Sequence, residues 1–541
     1  MNIEASPIHC DTLLIGGGLA GIVAALELLS AGKRVTLLDR DSEENFGGLA
    51  KESFGGILVV GSEEQRRAGL SDTPELALAD WLSFGGFGAP GKVDEIWPRR
   101  WAEAYVNDCA GEVYRWLKEL GISFLPLPLW VERGLATRGN SVPRWHVVWG
   151  TGHGLMHHLI GHLRSHPRQE LLTLRFGCRV EELISDGGAV VGCRGVSEDS
   201  NQAFEVRADA VLVATGGING SLERVRRHWH ADWRTPPDTI LNGAHKFADG
   251  TLHDAVRAVG GNLTHLDRMW NYAAGVHHWQ PRKPEHGLSL VPPRSALWLN
   301  WRGQRIGPQP LVTGFDTRDL VTQICKQERQ YSWQLLNRKI ALKELAVSGA
   351  EFNPSIRNSS KLALLRDLLF GNRWLLKEMT RYCQDIVVAD SLPELVDKMN
   401  ALQGDRSVDI ATVNDEITRY DTQIENGAPY HDEQLRRIAL VREWKGDRLR
   451  TCKFQKILEP GARPLIAIRE FIISRKSLGG IQTDLDCRVL DQDGAAIPGL
   501  YAAGEAAGFG GGGMNGLRGL EGTFLGGCIY GARRAAAALA R

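Results

Sequence analysis

A chain of 541 residues with 43% hydrophobic residues can bury a large core, and at this size it divides into two or three units, which excludes one small domain. Lysine plus arginine and aspartate plus glutamate each number 64, so no global field draws the chain to nucleic acid or an anionic membrane, and small molecules are the expected partners. The nine cysteines are odd in number and scattered without paired spacing, which argues against a disulfide framework and for free thiols in a reducing, cytoplasmic setting.

Met1 to Asp11 carries acid and lacks the basic stretch and apolar run of a secretory signal, and no window reaches the ~18 apolar residues of a membrane span. Asp11 to Ile15 then reads as a strand, Ile22 to Leu29 as a helix and Val35 to Leu38 as a second strand. Val180 to Ile184, Ala189 to Val196 and Phe204 to Ala208 alternate around turn residues as a small antiparallel meander, followed by a buried parallel strand, Ala210 to Ala214. From about Thr264 to Arg475 the texture shifts: Trp, Pro and His are frequent early, then come charged helical stretches such as Lys361 to Tyr382 and Ser391 to Leu402. This middle reads as an insertion. Gly479 to Asp484 and Gly499 to Ala503 look like strands, and Glu521 to Leu539 like a small-residue helix packed on a sheet.

Gly16-Gly17-Gly18-Leu19-Ala20-Gly21 satisfies G-x-G-x-x-G between the first strand and the helix. Gly16 permits the tight turn, Gly18 lets backbone approach a pyrophosphate, and Gly21 lets helix and strand pack, while the helix N-terminus offers free N–H groups. Asp39, followed by Arg40, ends the second strand near the ~20-residue spacing of the acid that binds a ribose hydroxyl. An isolated glycine turn would carry little weight; strand, helix and acid together specify a dinucleotide. FAD and NAD share that pyrophosphate and ribose, so other segments must decide between them. They are the glycine loop Gly47-Gly48-Leu49-Ala50-Lys51-Glu52-Ser53-Phe54-Gly55-Gly56, the strand end Ala214-Thr215-Gly216, and Gly499 to Glu505 with Gly504.

Together these segments resemble the flavoprotein subunits of the fumarate reductase and succinate dehydrogenase type, a group that includes soluble fumarate reductases and 3-ketosteroid dehydrogenases. The resemblance spans the chain, strongly at both ends and weakly in the middle. It implies an α/β fold: a Rossmann-like FAD domain, with parallel sheet and antiparallel meander, built from residues 1–263 and 476–541, and an inserted α+β capping domain at 264–475. Some relatives attach FAD through a histidine before the second glycine loop; residues 47–56 hold none, so the resemblance implies non-covalent FAD. No C-x-x-C-H is present to bind a fused haem.

Hydride exchange at flavin N5 requires the protein to move a proton and to hold developing charge on the substrate. Asn300 to Ile306 resembles the family's N-x-x-G-x-R hairpin, and Asp316-Thr317-Arg318-Asp319 follows; the resemblance makes Arg318 the proton donor, whereas the residues alone read as an ion pair with Asp316 or Asp319. In Arg475-Lys476-Ser477-Leu478-Gly479-Gly480, Lys476 stands where the family carries a substrate-binding histidine. Arg518, in Asn515 to Gly522, matches the arginine that grips a substrate carboxylate. Trp270-Asn271-Tyr272-Ala273-Ala274 departs from the family's Q-x-H-P-T, so fumarate is a poor substrate guess; the ketosteroid enzymes use tyrosines, and Tyr272 fits such a role or that of a core residue.

His153, His157 and His158, and the pair His277-His278, lack a third ligand at metal-binding spacing, so no metal is expected. The absence of G-x-S-x-G leaves esterase chemistry without support. The expected function is an FAD-dependent dehydrogenase or reductase acting on an activated C–C bond of a small molecule, with an unspecified electron partner. A 3-ketosteroid Δ1-dehydrogenase-like enzyme and a non-catalytic FAD-binding electron carrier are the alternatives.

Overall fold

The computed structural model describes residues 8–541, so most of the Met1 to Asp11 segment lies outside the described residues. The first apolar run forms the strand Ile8–Ile15, in which Leu13 and Leu14 are fully buried on opposite faces, as a central parallel strand requires. It lies within a sheet ordered Arg488–Leu490, Ala496–Ala502, Ala203–Val213, Ile8–Ile15, Val35–Leu38, Leu172–Arg175. All neighbours on this path pair in parallel except Arg488–Leu490. The register sets Ile15 opposite both Leu38 and Val213, and Val213 opposite Ala502. Four strands therefore stop on one line, and the chain leaves that line at Gly16, Asp39, Ala214 and Ala503. Open α/β sheets bind ligands at this carboxyl edge.

One strand does the work expected of two. Ala203–Val213 pairs antiparallel with Ala189–Ser197 through its first half and parallel with Ile8–Ile15 through its second, and Cys178–Asp186 completes the meander. The helix Leu19–Ser30 packs beneath the sheet against the C-terminal helix Thr523–Ala540. Buried glycines of the C-terminal helix make room for large neighbours on another side: a Cβ at Gly526 would collide with the Tyr105 hydroxyl, and one at Gly527 would press on Met514 and Phe509.

A second sheet is built around the thirteen-residue strand Leu465–Ser477. Tyr331–Asn337, Met269–His277 and Ile386–Ala389 pair with it antiparallel, while Ile240–Asn242 adds to it in parallel. Its core is separate from that of the first sheet, with Leu297, Trp333, Leu335, Ile466 and Ile468 at 2% exposure or less. The helices Leu392–Gln403, Ile410–Asn426 and Glu433–Glu443 cover it, each opened by a side-chain cap. The stretch Lys361 to Tyr382, read as continuous, is two helices: Gly371 at φ +76° breaks it, and the Asn372 side chain caps the second by accepting from the Leu375 N–H at 3.0 Å. All nine cysteines are free thiols, eight of them buried. Among the described residues, no helix is long and apolar enough to cross a membrane.

Candidate active site

Along the line of strand ends runs one cleft of about 1620 Å³ including its open mouth. Gly16, Gly18, Leu19, Ala20, Asp39 and Arg40 line it, and so do Gly48, Leu49, Ser53, Gly55, Gly56, Ala214, Thr215, Gly216 and Glu505. Three expected glycines stand just behind. Gly21 faces the Gly16 carbonyl, leaving no room for a side chain; Gly47, at φ +118°, donates its N–H to the Gly17 carbonyl at 3.2 Å; and Gly504, at φ +69°, lies against Ala20.

Gly18 is the opposite case. A Cβ built there would meet no protein atom within 4 Å, so its open side belongs to the cleft. The adjoining helix, Leu19–Ser30, has no side-chain cap and no acid in its first turn, which leaves its N–H groups and positive end free for phosphate. The helix Thr523–Ala540 also starts uncapped, at Gly522 on the cleft wall. Asp39 accepts from the Gly17 N–H and the Asp41 N–H, both at 2.7 Å, and burial pushes its carboxyl above the usual range. Arg40 pairs with Asp249 at 2.8 Å and lies over the Phe247 ring at 4.3 Å. Burial opposes the charge on Asp41, yet bonds from His245, Asn45, the Ser42 N–H and Lys246 outweigh it and hold its carboxyl well below the usual range.

A second set of lining residues brings ionisable and hydroxyl groups together. The Tyr272 hydroxyl donates to Glu521 Oε1 at 2.5 Å and accepts from the Lys476 ammonium at 3.1 Å. Trp270 Nε1 also donates to Glu521 Oε1, at 2.8 Å, and Lys476 lies 4.1 Å from the centre of the Phe524 ring. Strand pairing explains the meeting, because Trp270 sits opposite Lys476 and a bulge carries Tyr272 onto the same site. Burial pulls the Lys476 ammonium down to about 8 and, with the Glu521 charge, raises the Tyr272 hydroxyl well above its ordinary value. Glu505 accepts from the Ser477 N–H at 2.9 Å, while burial pushes its carboxyl up to about 7. Around these groups stand Phe54, Trp145, Phe509, Phe524 and Leu525, an apolar wall in which Phe54 and Trp145 stack at 5.7 Å.

A sequence profile described as the FAD binding domain matches residues 11–525. The chain belongs to this FAD-binding family. It is 42% identical, over 98% of its length and 96% of the relative's, to a KsdD-like steroid dehydrogenase of Mycobacterium tuberculosis. Its fold is similar to the open conformation of a flavocytochrome c3 fumarate reductase, at 20% identity and TM-score 0.68, covering 99% of this chain and 79% of that one. It is equally similar in fold to the 3-ketosteroid delta1-dehydrogenase of Sterolibacterium denitrificans, at 16% identity and TM-score 0.68, covering 98% and 99%.

The FAD-binding protein is thus an FAD-dependent oxidoreductase, and its cleft fits the cofactor: an open glycine at a free helix end, an acid at the second strand end and an uncapped second helix. The structure does not unite all the expected catalytic residues. Tyr272 and Lys476 share the cleft wall, whereas Arg318 and Arg518 are not among its lining residues. Arg318 bonds Asp232 at 2.9 Å and lies 5.1 Å from the Trp233 ring centre. Its ion-pair partner is neither Asp316 nor Asp319, because Asp316 caps the helix Thr317–Cys325 through the Asp319 N–H and takes the Arg518 Nε at 2.9 Å. Glu521, Trp145, Phe524 and His245 were missed as candidates from the sequence. Glu521 had one usable signal: an acid inside a glycine-rich segment.

Proposed function

We propose that this FAD-dependent dehydrogenase oxidises a C–C bond beside the carbonyl of a steroid-like polycyclic ketone, with Tyr272 receiving the proton. The observation that carries this reading is the hydroxyl of Tyr272 held between Lys476 and Glu521 on an apolar cleft wall. FAD, when bound, supplies the acceptor for the two-electron hydride. Tyr272 takes the substrate proton as its own proton passes to Glu521, and the Lys476 ammonium stabilises the phenolic oxygen during the transfer. Phe54, Trp145, Phe509 and Phe524 present ring faces and edges to a flat apolar substrate and exclude water from the transferred proton. The 42% identity to a protein named as a steroid dehydrogenase supports the substrate class. The engagement of Arg318 by Asp232 favours Tyr272 over the arginine as proton carrier.

Anaerobic mixing of the purified yellow protein with 3-ketosteroids, simple cyclic ketones and saturated dicarboxylic acids tests the proposal. Bleaching of the flavin band by 3-ketosteroids is expected. Bleaching by a dicarboxylate such as succinate, with none by steroids, would overturn it.

A further inference from the structure

The balanced charge of the whole chain conceals a segregated surface. In the helix Lys361–Phe370 no residue is buried, although six of its ten residues are Leu or Phe. Leu362, Leu365 and Leu369 follow a helical stripe at 83%, 54% and 67% exposure; Phe370 and Trp374 continue it at 58% and 44%. In the next helix, Arg373–Tyr382, the buried Leu375 and Met379 face inward, while Arg373, Lys377 and Arg381 repeat at i, i+4, i+8 on the exposed side. Lys361 and Arg366 add two exposed cations, and the only acids of the segment, Asp367 and Glu378, are half-buried. Among the described residues, Lys361, Arg373, Lys377 and Arg381 have no carboxylate within ion-pair distance.

A groove beside the second helix repeats this composition. Arg338, Arg373 and Lys377 stand over an apolar floor of Leu342, Leu376 and Ile466, with no acid in its lining. Exposed leucines with Phe and Trp, bordered by unpaired cations, match a helix that lies in a lipid headgroup layer. A protein partner would equally cover leucines, but it would not by itself explain four unpaired cations and a cationic groove with a hydrocarbon floor. Charge complementarity therefore commits the surface to one occupant.

We propose that the helical pair Lys361–Tyr382 seats the protein on an anionic lipid surface. Leu362, Leu365, Leu369 and Phe370 enter the boundary between headgroups and acyl chains; Arg373, Lys377 and Arg381 meet lipid phosphates. This inference stands apart from the substrate reading, since it rests only on the outer face of the second unit.

Flotation of the FAD-loaded protein with phosphatidylcholine vesicles, with and without about one third phosphatidylglycerol, tests it. Binding to the anionic vesicles alone, weakened by salt, is expected. Arg373→Gln/Lys377→Gln/Arg381→Gln should weaken it by about 100-fold, and Leu365→Ser/Leu369→Ser should also release the protein, both variants keeping the parent's flavin spectrum and melting temperature. Absence of binding to either vesicle, or binding unchanged in both variants, would overturn the proposal. So would a dimer in solution that the serine variant dissociates in the absence of any vesicle binding, which would assign the leucines to a second copy of the chain.

Discussion

Ser477, the last residue of the long strand in the second sheet, donates its N–H to Glu505, which follows the end of a strand in the first. The bond fixes where that strand arrives at the cleft, and so where Lys476 stands against Tyr272. The residues of the proposed proton transfer and the cofactor cleft are thereby held in one frame.

The proposed role of Tyr272 predicts that Tyr272→Phe lowers kcat by about 10²–10⁴ with the flavin still bound. Lys476→Met should cost less, because the hydroxyl and Glu521 remain. Rapid-reaction kinetics of flavin bleaching with the active steroid would check both, and a Tyr272→Phe variant with unchanged kcat would remove the tyrosine from the mechanism.

Activity should carry an alkaline limb near the value to which burial lowers Lys476, about 8. Below it the ammonium stabilises the phenolic oxygen; above it the charge is lost and kcat/KM falls. Lys476→Arg, which stays charged throughout, should remove the limb from the pH profile of whatever activity it keeps.

Two glycines of the fingerprint should fail differently. Gly18→Ala is sterically free at φ −78°, so the apoprotein should melt unchanged while FAD binding weakens by at least about tenfold. Gly16→Ala, at φ +111° with the Ala214 carbonyl in the way, should lower the melting temperature of the apoprotein itself. Calorimetry of apoprotein and FAD titration separate the two effects. In the parent, denaturation should release free FAD, since residues 47–56 offer no histidine to hold it.

Glu470 is fully buried with neither carboxylate oxygen bonded, and its cross-sheet neighbourhood includes Gln334, whose amide is also unbonded. Burial raises the Glu470 carboxyl well above its ordinary value. The folded state therefore keeps a proton that the unfolded chain releases above roughly pH 4.3, so this residue makes stability fall as pH rises. Glu470→Leu should raise the melting temperature by a few degrees, about 1–3 kcal/mol, with a gain larger at pH 8 than at pH 5. A gain independent of pH would rule out the titration.

The sequence was most legible where function is local. Gly16 to Gly21 and Asp39 could be read because a turn, a helix start and a strand end recur at fixed short spacing, and the parallel register then brought Ala214 and Glu505 to the same edge. Tyr272, Lys476 and Glu521 could not be read as a group, being separated by some two hundred residues, then by a change of sheet; a strand bulge unites them. Arg318 shows the converse. Its local pattern, Asp-Thr-Arg-Asp, was clear, but its partner, Asp232, came from a distant short helix that spacing does not reveal.

The strand Leu465–Ser477 behaves as a ruler. Seven consecutive pairs with Tyr331–Asn337 lock it at one end, and Lys476 sits near the other. Side chains alternate faces along a strand, so a slip of one position would present Arg475 or Ser477 to Tyr272 in place of the ammonium. Core substitutions far from the cleft, at Leu335 or Ile468, thus act as alignment mutations: on the proposed role of Tyr272 they would detune proton transfer while every residue of the site remains in the sequence.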